Sequence, residues 1–180
     1  MDTKKNRHEL DRLSPDQFRK ADKMPLTVLL DNVRSMLNVG SVFRSADAFR
    51  VQQIILGGIT PTPPHRDIQK TALGATETVQ WSHSHSLLDT IQQLKQQGYT
   101  IAAVEQTLHS TSLETIPHKP LTKWAIVFGN EVEGVSEELL AICDTIIEIP
   151  QFGAKHSLNI SVAAGIVLWE FAKNYYLNTE

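Results

Sequence analysis

Apolar runs alternate with amphipathic stretches along most of the chain. Six runs rich in Val, Ile and Leu predict buried strands, at residues 26–32, 52–58, 76–83, 99–106, 123–131 and 144–150. The spacing of apolar residues predicts helices at residues 38–49, 86–98, 136–143 and 159–175. Residues 58–65, "GITPTPPH", predict a loop because Pro interrupts both helices and central strands. Alternating apolar strands and helices indicate an α/β fold, with a mostly parallel sheet covered by helices on both faces.

The first residues follow a different pattern, with many charges and little apolar periodicity. Residues 8–23 predict one or two short helices, and Ser14 followed by Pro15 is typical of an N-cap with Pro in the first turn. We therefore predict a basic helical extension at residues 1–25 and one folded domain at residues 26–180.

The composition is that of an ordinary globular protein, with 41% hydrophobic and 21% charged residues among 180. The net charge is −3, but residues 1–70 carry 12 Lys and Arg against 8 Asp and Glu. A basic first part is consistent with a face that binds phosphate groups. The alternative interpretation is a solvated charged segment without a partner.

Targeting signals are absent from the pattern. There is no run of ~18 apolar residues that would span a membrane, and the charged N-terminus lacks the apolar core of a signal peptide. Cys143 is the only cysteine, so no internal disulfide can form. These features predict a cytoplasmic protein that does not enter a membrane.

Three polar clusters follow predicted strands, and the first is "NVGSVFR". Asn38, Gly40 and Arg44 lie at the start of a predicted helix, whose apolar stripe is formed by Val39, Val42, Phe43 and Ala46. Arg44 falls outside that stripe and can face a cleft. The alternative is an i,i+3 ion pair between Arg44 and Asp47.

The second cluster, "GNEVEG", follows the fifth predicted strand. Gly129 and Gly134 bracket Asn130 and Glu131. Glycines allow unusual backbone paths and a close approach to a ligand, and Glu131 can accept hydrogen bonds from a hydroxyl or hold a cation. A glycine-rich turn that leads into a helix at Ser136 is the alternative.

The third cluster lies before the last predicted helix, in "GAKHSLN". Gly153 permits a tight turn, and Ser157 and Asn159 can either cap the helix or line a pocket at its N-terminus. The helix then carries Ala163, Ala164 and Gly165, where a packed helix would usually carry larger side chains. We expect another backbone to approach the helix closely there.

Together the clusters read N-x-G-x-x-x-R, then G-N-E-x-x-G, then I-P-x-x-G-x-x-x-S-L-N-x-S-V-A-A. Their order and spacing resemble the three signature motifs of the SpoU/TrmH branch of the SPOUT RNA methyltransferases. The resemblance extends from about residue 26 to residue 175. It implies transfer of a methyl group from S-adenosylmethionine to a ribose 2′-hydroxyl of tRNA or rRNA. It also implies a deep C-terminal trefoil knot, and a homodimer with the final helix in the interface.

The resemblance also implies roles for individual residues. It assigns catalysis to Arg44, Asn38, Glu131, Ser157 and Asn159. It assigns cofactor binding to Val104, Glu105, Gln106, Phe128, Gly129, Asn130, Ile149, Pro150, Gln151, Ser157 and Leu158. Candidate RNA contacts are basic side chains: Arg34, Arg50, Arg66, Lys70, Arg19 and Lys20, with Lys4, Lys5, Arg7, Arg12 and Lys23 in the extension. Arg50 stands where the family often has Gly.

The expected chemistry depends on how the 2′-hydroxyl loses its proton. A guanidinium is effectively always protonated and is therefore a poor base. We expect Arg44 to fix a nearby phosphate and to stabilise the developing oxyanion, while a phosphate oxygen or Glu131 accepts the proton.

Other functions fit the sequence less well. His83 and His85, with His65, lack the Cys or carboxylate spacing of a metal site, so no metal is expected. The "LGG" after the second strand lacks the G-x-G-x-x-G pattern of dinucleotide-dependent oxidoreductases. The alternative that remains is a non-catalytic RNA-binding protein that retains the fold.

Overall fold

A single parallel sheet forms the centre of the protein. The structure, a computed structural model, describes residues 12–117, 122–154 and 157–177. Its seven strands follow the order β3-β2-β1-β6-β4-β7-β5, and all paired strands run parallel. The strands are β1 (Met24–Asp31), β2 (Val51–Gly57), β3 (Gln80–Ser84), β4 (Tyr99–Val104), β5 (Thr111–Ser112), β6 (Lys123–Phe128) and β7 (Thr145–Glu148).

Helices cover both faces of the sheet, as the alternating pattern predicts. They are α1 (Pro15–Lys20), α2 (Met36–Ala48), α3 (Arg66–Ala72), α4 (Ala75–Thr78), α5 (Leu87–Gln96), α6 (Glu137–Leu140) and α7 (Ile160–Tyr176). Buried side chains of α2, α3 and α7 form one apolar core with the sheet. Those of α5 and α6 form a second core on the opposite face. The expected α/β fold is therefore confirmed.

Several element boundaries differ from the sequence prediction. Helix α2 begins at Met36 rather than at residue 38, because the hydroxyl of Ser35 accepts a hydrogen bond from the Asn38 amide at 3.3 Å and caps the helix. The third strand begins at Gln80 rather than residue 76, because residues 75–78 form α4 after a left-handed Gly74. Helix α3 and the two-residue strand β5 were not predicted.

The N-terminal extension is described only in part. Ser14 caps α1 in a capping box with Gln17, and Pro15 occupies the first turn, as predicted. Phe18 anchors this short helix in the core. Lys4, Lys5 and Arg7, which were expected to contact RNA, lie outside the described residues.

Gly40 permits the close packing of two helices. A Cβ atom at this position would lie 2.2 Å from the backbone oxygen of Ile68 in α3, and also 2.2 Å from the Thr71 hydroxyl. The motif glycine of the first cluster is therefore required by the approach of α3 to α2, and the apolar stripe predicted for α2 is buried beside it.

The packing of α7 only partly explains why this helix carries small residues. Ala164 is fully buried, but a Cβ on Gly165 would meet nothing nearer than the Ser45 hydroxyl at 3.9 Å. The close approach expected at Gly165 is thus not found among the described residues. The outward side of α7 instead exposes three large apolar side chains, with relative exposures of 49% for Val162, 38% for Ile166 and 48% for Trp169. None of the helices in the described residues has the length and apolar character to cross a bilayer.

Candidate active site

A cavity of about 290 Å³ opens where β4, β6 and β7 end. Carboxyl ends of parallel strands meet at one edge of a sheet, and ligands of open α/β folds bind at that edge. The residues predicted to bind the cofactor line this cavity, except that Pro150 is not part of its described lining: Val104, Glu105, Gln106, Phe128, Gly129, Asn130, Ile149, Gln151, Ser157 and Leu158. Residues that are distant in sequence therefore come together at one site.

The segment after β6 forms a tight turn over the cavity. Asn130 and Gly134 exchange backbone hydrogen bonds of 3.0 and 3.1 Å, and Gly134 has a positive φ of 71°. A Cβ on Gly129 would lie 1.9 Å from the carbonyl carbon of Gly134, so both glycines are needed. The Asn130 side-chain oxygen accepts from the amides of Val132 and Glu133. The turn interpretation is correct, and the turn also presents Glu131.

Glu131 joins the second cluster to the first. Its carboxylate accepts hydrogen bonds from the backbone amides of Arg34 at 3.3 Å and Ser35 at 3.2 Å. It also accepts from the Nδ2 atom of Asn38 at 2.8 Å. Burial raises the pKa of Glu131, but hydrogen bonds from Asn38 and from backbone amides outweigh this effect and hold the pKa below its usual value.

Asn38 joins this pair to the third cluster. A carboxylate can only accept, so the NH₂ group of Asn38 must face Glu131. The Oδ1 atom of Asn38 then accepts from Nδ2 of Asn159 at 3.2 Å. Asn159 turns its own oxygen to the Ser161 amide at 2.8 Å and caps α7. One hydrogen-bonded chain therefore connects all three sequence clusters, and the charge on Glu131 sets its orientation.

The two candidate caps of α7 have separate roles. Asn159 caps the helix, whereas Ser157 is exposed, lines the cavity and makes no capping bond in the described residues. The prediction that Ser157 can cap α7 is therefore wrong.

Arg44 lies apart from this network within one chain. It is exposed on the outward side of α2, and it is not in the described lining of the cavity. The alternative ion pair is not formed either, because the Asp47 carboxylate instead accepts a hydrogen bond from the Thr78 hydroxyl. Within the described ranges, Arg44 makes no hydrogen bond or ion pair, so its guanidinium is available to a ligand.

The candidate RNA contacts differ in what they touch. Arg34 and Lys20 are exposed. Lys70 pairs with Asp67 and Arg19 pairs with Asp16, each at 2.6 Å. Arg50 has a positive φ of 49°, which fits a position where the family often has Gly, and its guanidinium stacks over the Tyr176 ring at 4.6 Å.

The histidines have structural contacts. His65 caps α3 through Nδ1, and the rings of His83 and His85 stack edge to face at 4.9 Å. Across the part of the chain that the structure describes, no group of three His, Cys, Asp or Glu side chains is placed to hold a metal ion.

Two acidic side chains near the site hold the backbone in a way that the sequence did not indicate. Asp31 ends β1, is buried, and accepts from the Ser136 amide. The carboxylate of Glu105, a residue that the resemblance assigns to cofactor binding, accepts a hydrogen bond from the Val135 amide. The available signal was a carboxylate directly after an apolar strand, where a buried charge needs partners.

Relatives of known name share most of this chain. The model of the SpoU rRNA Methylase family matches residues 25–169. A 23S rRNA (guanosine-2′-O-)-methyltransferase RlmB of Neisseria meningitidis is 30% identical over 181 residues, covering 100% of this chain and 69% of the relative. A tRNA (guanosine(18)-2′-O)-methyltransferase of Thermus thermophilus is 31% identical, covering 92% of this chain and 84% of the relative. Some relatives are longer: the chain spans 58% of the RlmB of Vibrio vulnificus, with 36% identity.

Solved structures agree with the sequence match. An AdoMet-bound rRNA methyltransferase from Sinorhizobium meliloti superposes with a TM-score of 0.79 and 30% identity, covering 92% of this chain and 62% of that one. The TrmH/SpoU tRNA modifying enzyme of A. aeolicus gives a TM-score of 0.78 with 26% identity, covering 88% and 81%. From the family match, the shared fold and the three joined motifs, we conclude that this chain belongs to the SpoU rRNA methylase family.

Proposed function

We propose that this protein transfers a methyl group from S-adenosylmethionine to a ribose 2′-hydroxyl of tRNA or rRNA. The hydrogen-bonded chain from Glu131 through Asn38 to Asn159 is the observation that carries the proposal, because it assembles three separate motifs beside one cavity. Relatives named as rRNA and tRNA guanosine 2′-O-methyltransferases support the same reaction.

The cavity suits S-adenosylmethionine. Its volume of about 290 Å³ lies just below the ~300–1,000 Å³ that is usual for ligand pockets. Gly129 and Gly134 leave backbone groups accessible, and Ile149 and Leu158 supply apolar surface. The lining also contains four carboxylates, which favour a ligand that carries positive charge: Glu105, Glu131, Glu133 and Glu148. Backbone groups of residues 104–106, 128–130 and 149–151, with Ser157 and Leu158, would hold the cofactor.

The bound cofactor supplies an already activated methyl group on a sulfonium, so the protein has mainly to align the hydroxyl. Alignment of this kind contributes ~7–11 kcal/mol in well-oriented reactions. We propose that Arg44 binds a phosphate beside the target ribose and stabilises the oxygen as negative charge develops. Its exposed guanidinium is suited to that role, since the planar fork binds phosphate through two hydrogen bonds.

A phosphate oxygen is the better candidate for the proton acceptor. Glu131 already accepts three hydrogen bonds from groups of the protein, which leaves its carboxylate little acceptor capacity for a substrate hydroxyl. We therefore assign Glu131 to holding Asn38 and the backbone before α2, and we assign proton removal to the RNA.

Cofactor binding and methyl transfer test the proposal together. Saturating S-adenosylmethionine or its demethylated product should raise Tm by ~5 °C, since a ligand that binds the folded state stabilises it. Labelled methyl groups should then appear in tRNA or rRNA, and ribose-methylation mapping in cells with and without the gene should locate them. RNA binding without any cofactor-dependent rise in Tm would instead establish the non-catalytic alternative.

We also propose a homodimer that pairs through α7 and α2. Val162, Ile166 and Trp169 form an exposed apolar stripe on α7, which packs against α2. Leu37 and Arg44 lie on the exposed side of α2, so pairing through this surface would place Arg44 at the subunit boundary. In light scattering, Ile166→Glu should halve the mass, whereas Ile59→Glu, at an exposed apolar position on a loop, should not.

Three finer expectations remain proposals. We propose a C-terminal trefoil knot, as the resemblance implies; α7 follows β7 in the chain and packs on β6, with the Phe171 and Trp124 ring centroids 5.3 Å apart. An experimental structure traced through residues 129–160 would test it. We also propose that residues 1–25 form an RNA-binding extension of a methyltransferase domain at residues 26–180. A cytoplasmic location follows from an RNA substrate and can be checked by cell fractionation.

A further inference from the structure

The segment that carries Glu131 is held from both sides by its neighbours in the sheet. Strand β6 lies between β1 and β4. After the turn, two consecutive amides point to opposite neighbours. The Val135 amide donates to Glu105 at the end of β4 at 3.2 Å, and the Ser136 amide donates to Asp31 at the end of β1 at 2.9 Å.

Asp31 is unusual because it is an almost fully buried carboxylate. Its relative exposure is 4%, and its other oxygen accepts from the Asn32 side chain at 2.8 Å. Within the described ranges it makes no salt bridge with Lys or Arg. Burying a carboxylate costs free energy, and at Asp31 the described partners that offset it are hydrogen-bond donors. A role in fixing the Ser136 amide gives a reason for its presence.

Glu105 completes the arrangement from the other side. One of its oxygens accepts from the Gln106 amide at 2.9 Å, which fixes the carboxylate over the end of β4. A Cβ on Gly134 would lie 2.1 Å from the other oxygen. The glycine therefore makes room for this carboxylate, in addition to allowing the turn.

We propose that Asp31 and Glu105 are positioning residues that hold residues 129–136 so that Glu131 reaches Asn38. Asp31 acts through the turn; Glu105 also lines the cavity, so its role in holding the turn is tested by hydrogen exchange and not by the methylation rate. We call the two contacts, Asp31 with the Ser136 amide and Glu105 with the Val135 amide, the clamp. The proposal rests on the proposed methyl transfer only for its kinetic readout, because the clamp acts on the backbone of residues 129–136.

Removal of a single amide tests the Asp31 contact. Ser136 has a φ of −60°, a value that Pro also adopts, so Ser136→Pro deletes the N–H donor without strain at residue 136, and its ring displaces the Asp31 carboxylate from the contact. The matched control is Ser136→Ala, which keeps the amide and removes a hydroxyl that has no described partner. We expect Ser136→Pro to reduce single-turnover methylation ~10-fold or more, and Ser136→Ala to remain within about twofold of the unmodified protein.

A double-mutant cycle separates positioning from general stability. If Asp31 acts through Glu131, Asp31→Asn added to Glu131→Gln should slow methylation little further than Glu131→Gln alone. If the rate losses of the two single variants multiplied in the double variant, the proposal would be overturned. Asp144→Asn is the control for a lost carboxylate. Asp144 accepts a hydrogen bond of 2.8 Å from the Ile101 amide, and this contact lies outside the site. Asp144→Asn should lower Tm without changing the methylation rate.

Hydrogen exchange tests the clamp without a measurement of methylation. Asp31→Asn and Glu105→Gln should each speed exchange in residues 129–136 about 10-fold, and Asp144→Asn should not. Unchanged exchange in that segment would refute the clamp, including in the case where Ser136→Pro does not fold. Absence of methylation by the unmodified protein would contradict the proposed function. The clamp would then still be tested by the exchange rates in residues 129–136.

Discussion

Asn38→Asp should turn the central contact of the site from an attraction into a repulsion. The Asn38 NH₂ group donates to Glu131 at 2.8 Å, and Asp at this position would place a second carboxylate there. Loss of a hydrogen bond to a charged group costs ~1.5–3 kcal/mol, reduced to about 1 kcal/mol because Glu131 is exposed. Repulsion between the two carboxylates adds about 1 kcal/mol at such a partly solvated site. For a chain of this size, we expect Tm at pH 7 to fall by ~4–8 °C.

The pH dependence gives this prediction its sign. The pKa of Glu131 is lowered in the folded protein, so its hydrogen bonds stabilise the fold above the pKa of the unfolded chain, and this stability is lost as pH falls through the folded pKa. In Asn38→Asp the carboxylates share a proton as pH falls, and the repulsion disappears. The deficit in Tm relative to the unmodified protein should therefore shrink between pH 7 and pH ~4.5.

Asn38→Ala provides the comparison. It removes the hydrogen bond without adding a charge, so Tm should fall by only ~2–4 °C at pH 7. Thermal unfolding of the three proteins across this pH range measures both effects. Equal deficits for the Asp and Ala variants at every pH would show that position 38 does not face the Glu131 carboxylate, and the assembly of the three motifs would have to be reconsidered.

Further predictions concern other parts of the molecule. Arg44→Lys should slow single-turnover methylation ~10-fold or more with Tm unchanged, because the planar fork is lost and no described contact is broken; full activity would exclude positioning by Arg44. Burial raises the pKa of Cys143 to about 11, so iodoacetamide at pH 8 should react ~100-fold more slowly with the folded chain than in denaturant; equal rates would contradict this. Gly40→Ala should lower stability by ~1–3 kcal/mol, since its Cβ would lie 2.2 Å from an α3 carbonyl oxygen. Gly165→Ala should leave the stability of one chain unchanged, because only a contact at 3.9 Å lies within it; a large loss in chemical denaturation would contradict this.

The sequence predicted that the three motifs converge, but it did not predict the hydrogen bonds that join them. Each motif follows an apolar run, and parallel strands bring their carboxyl ends together, so the sequence alone places Asn38 and Glu131 at one edge of the sheet. The hydrogen-bonded chain depends on side-chain amide orientation, and α2 begins at Met36 because Ser35 rather than Asn38 caps it. Local spacing contains no information of that kind, since the bonds connect residues 93 and 121 positions apart.

The edges of the sheet were the least visible in the sequence. Strand β5 has only two residues, Thr111 and Ser112, and arises from its pairing with β7 rather than from any apolar pattern. Residues 76–78 have strand-like composition but form part of a short helix that follows the left-handed Gly74. In both places tertiary contacts outweigh local preference.

The two-residue strand at one end of the sheet has a consequence for how copies of the protein meet. Unpaired backbone groups along an open strand recruit strands from other molecules and start fibrils or runaway polymers. Here that border offers almost no length for such recruitment, and the opposite border, β3, displays Gln80, Ser82 and His83 to water. Growth by sheet extension is therefore disfavoured at both borders of the described sheet, which is consistent with the pairing through helices that we propose.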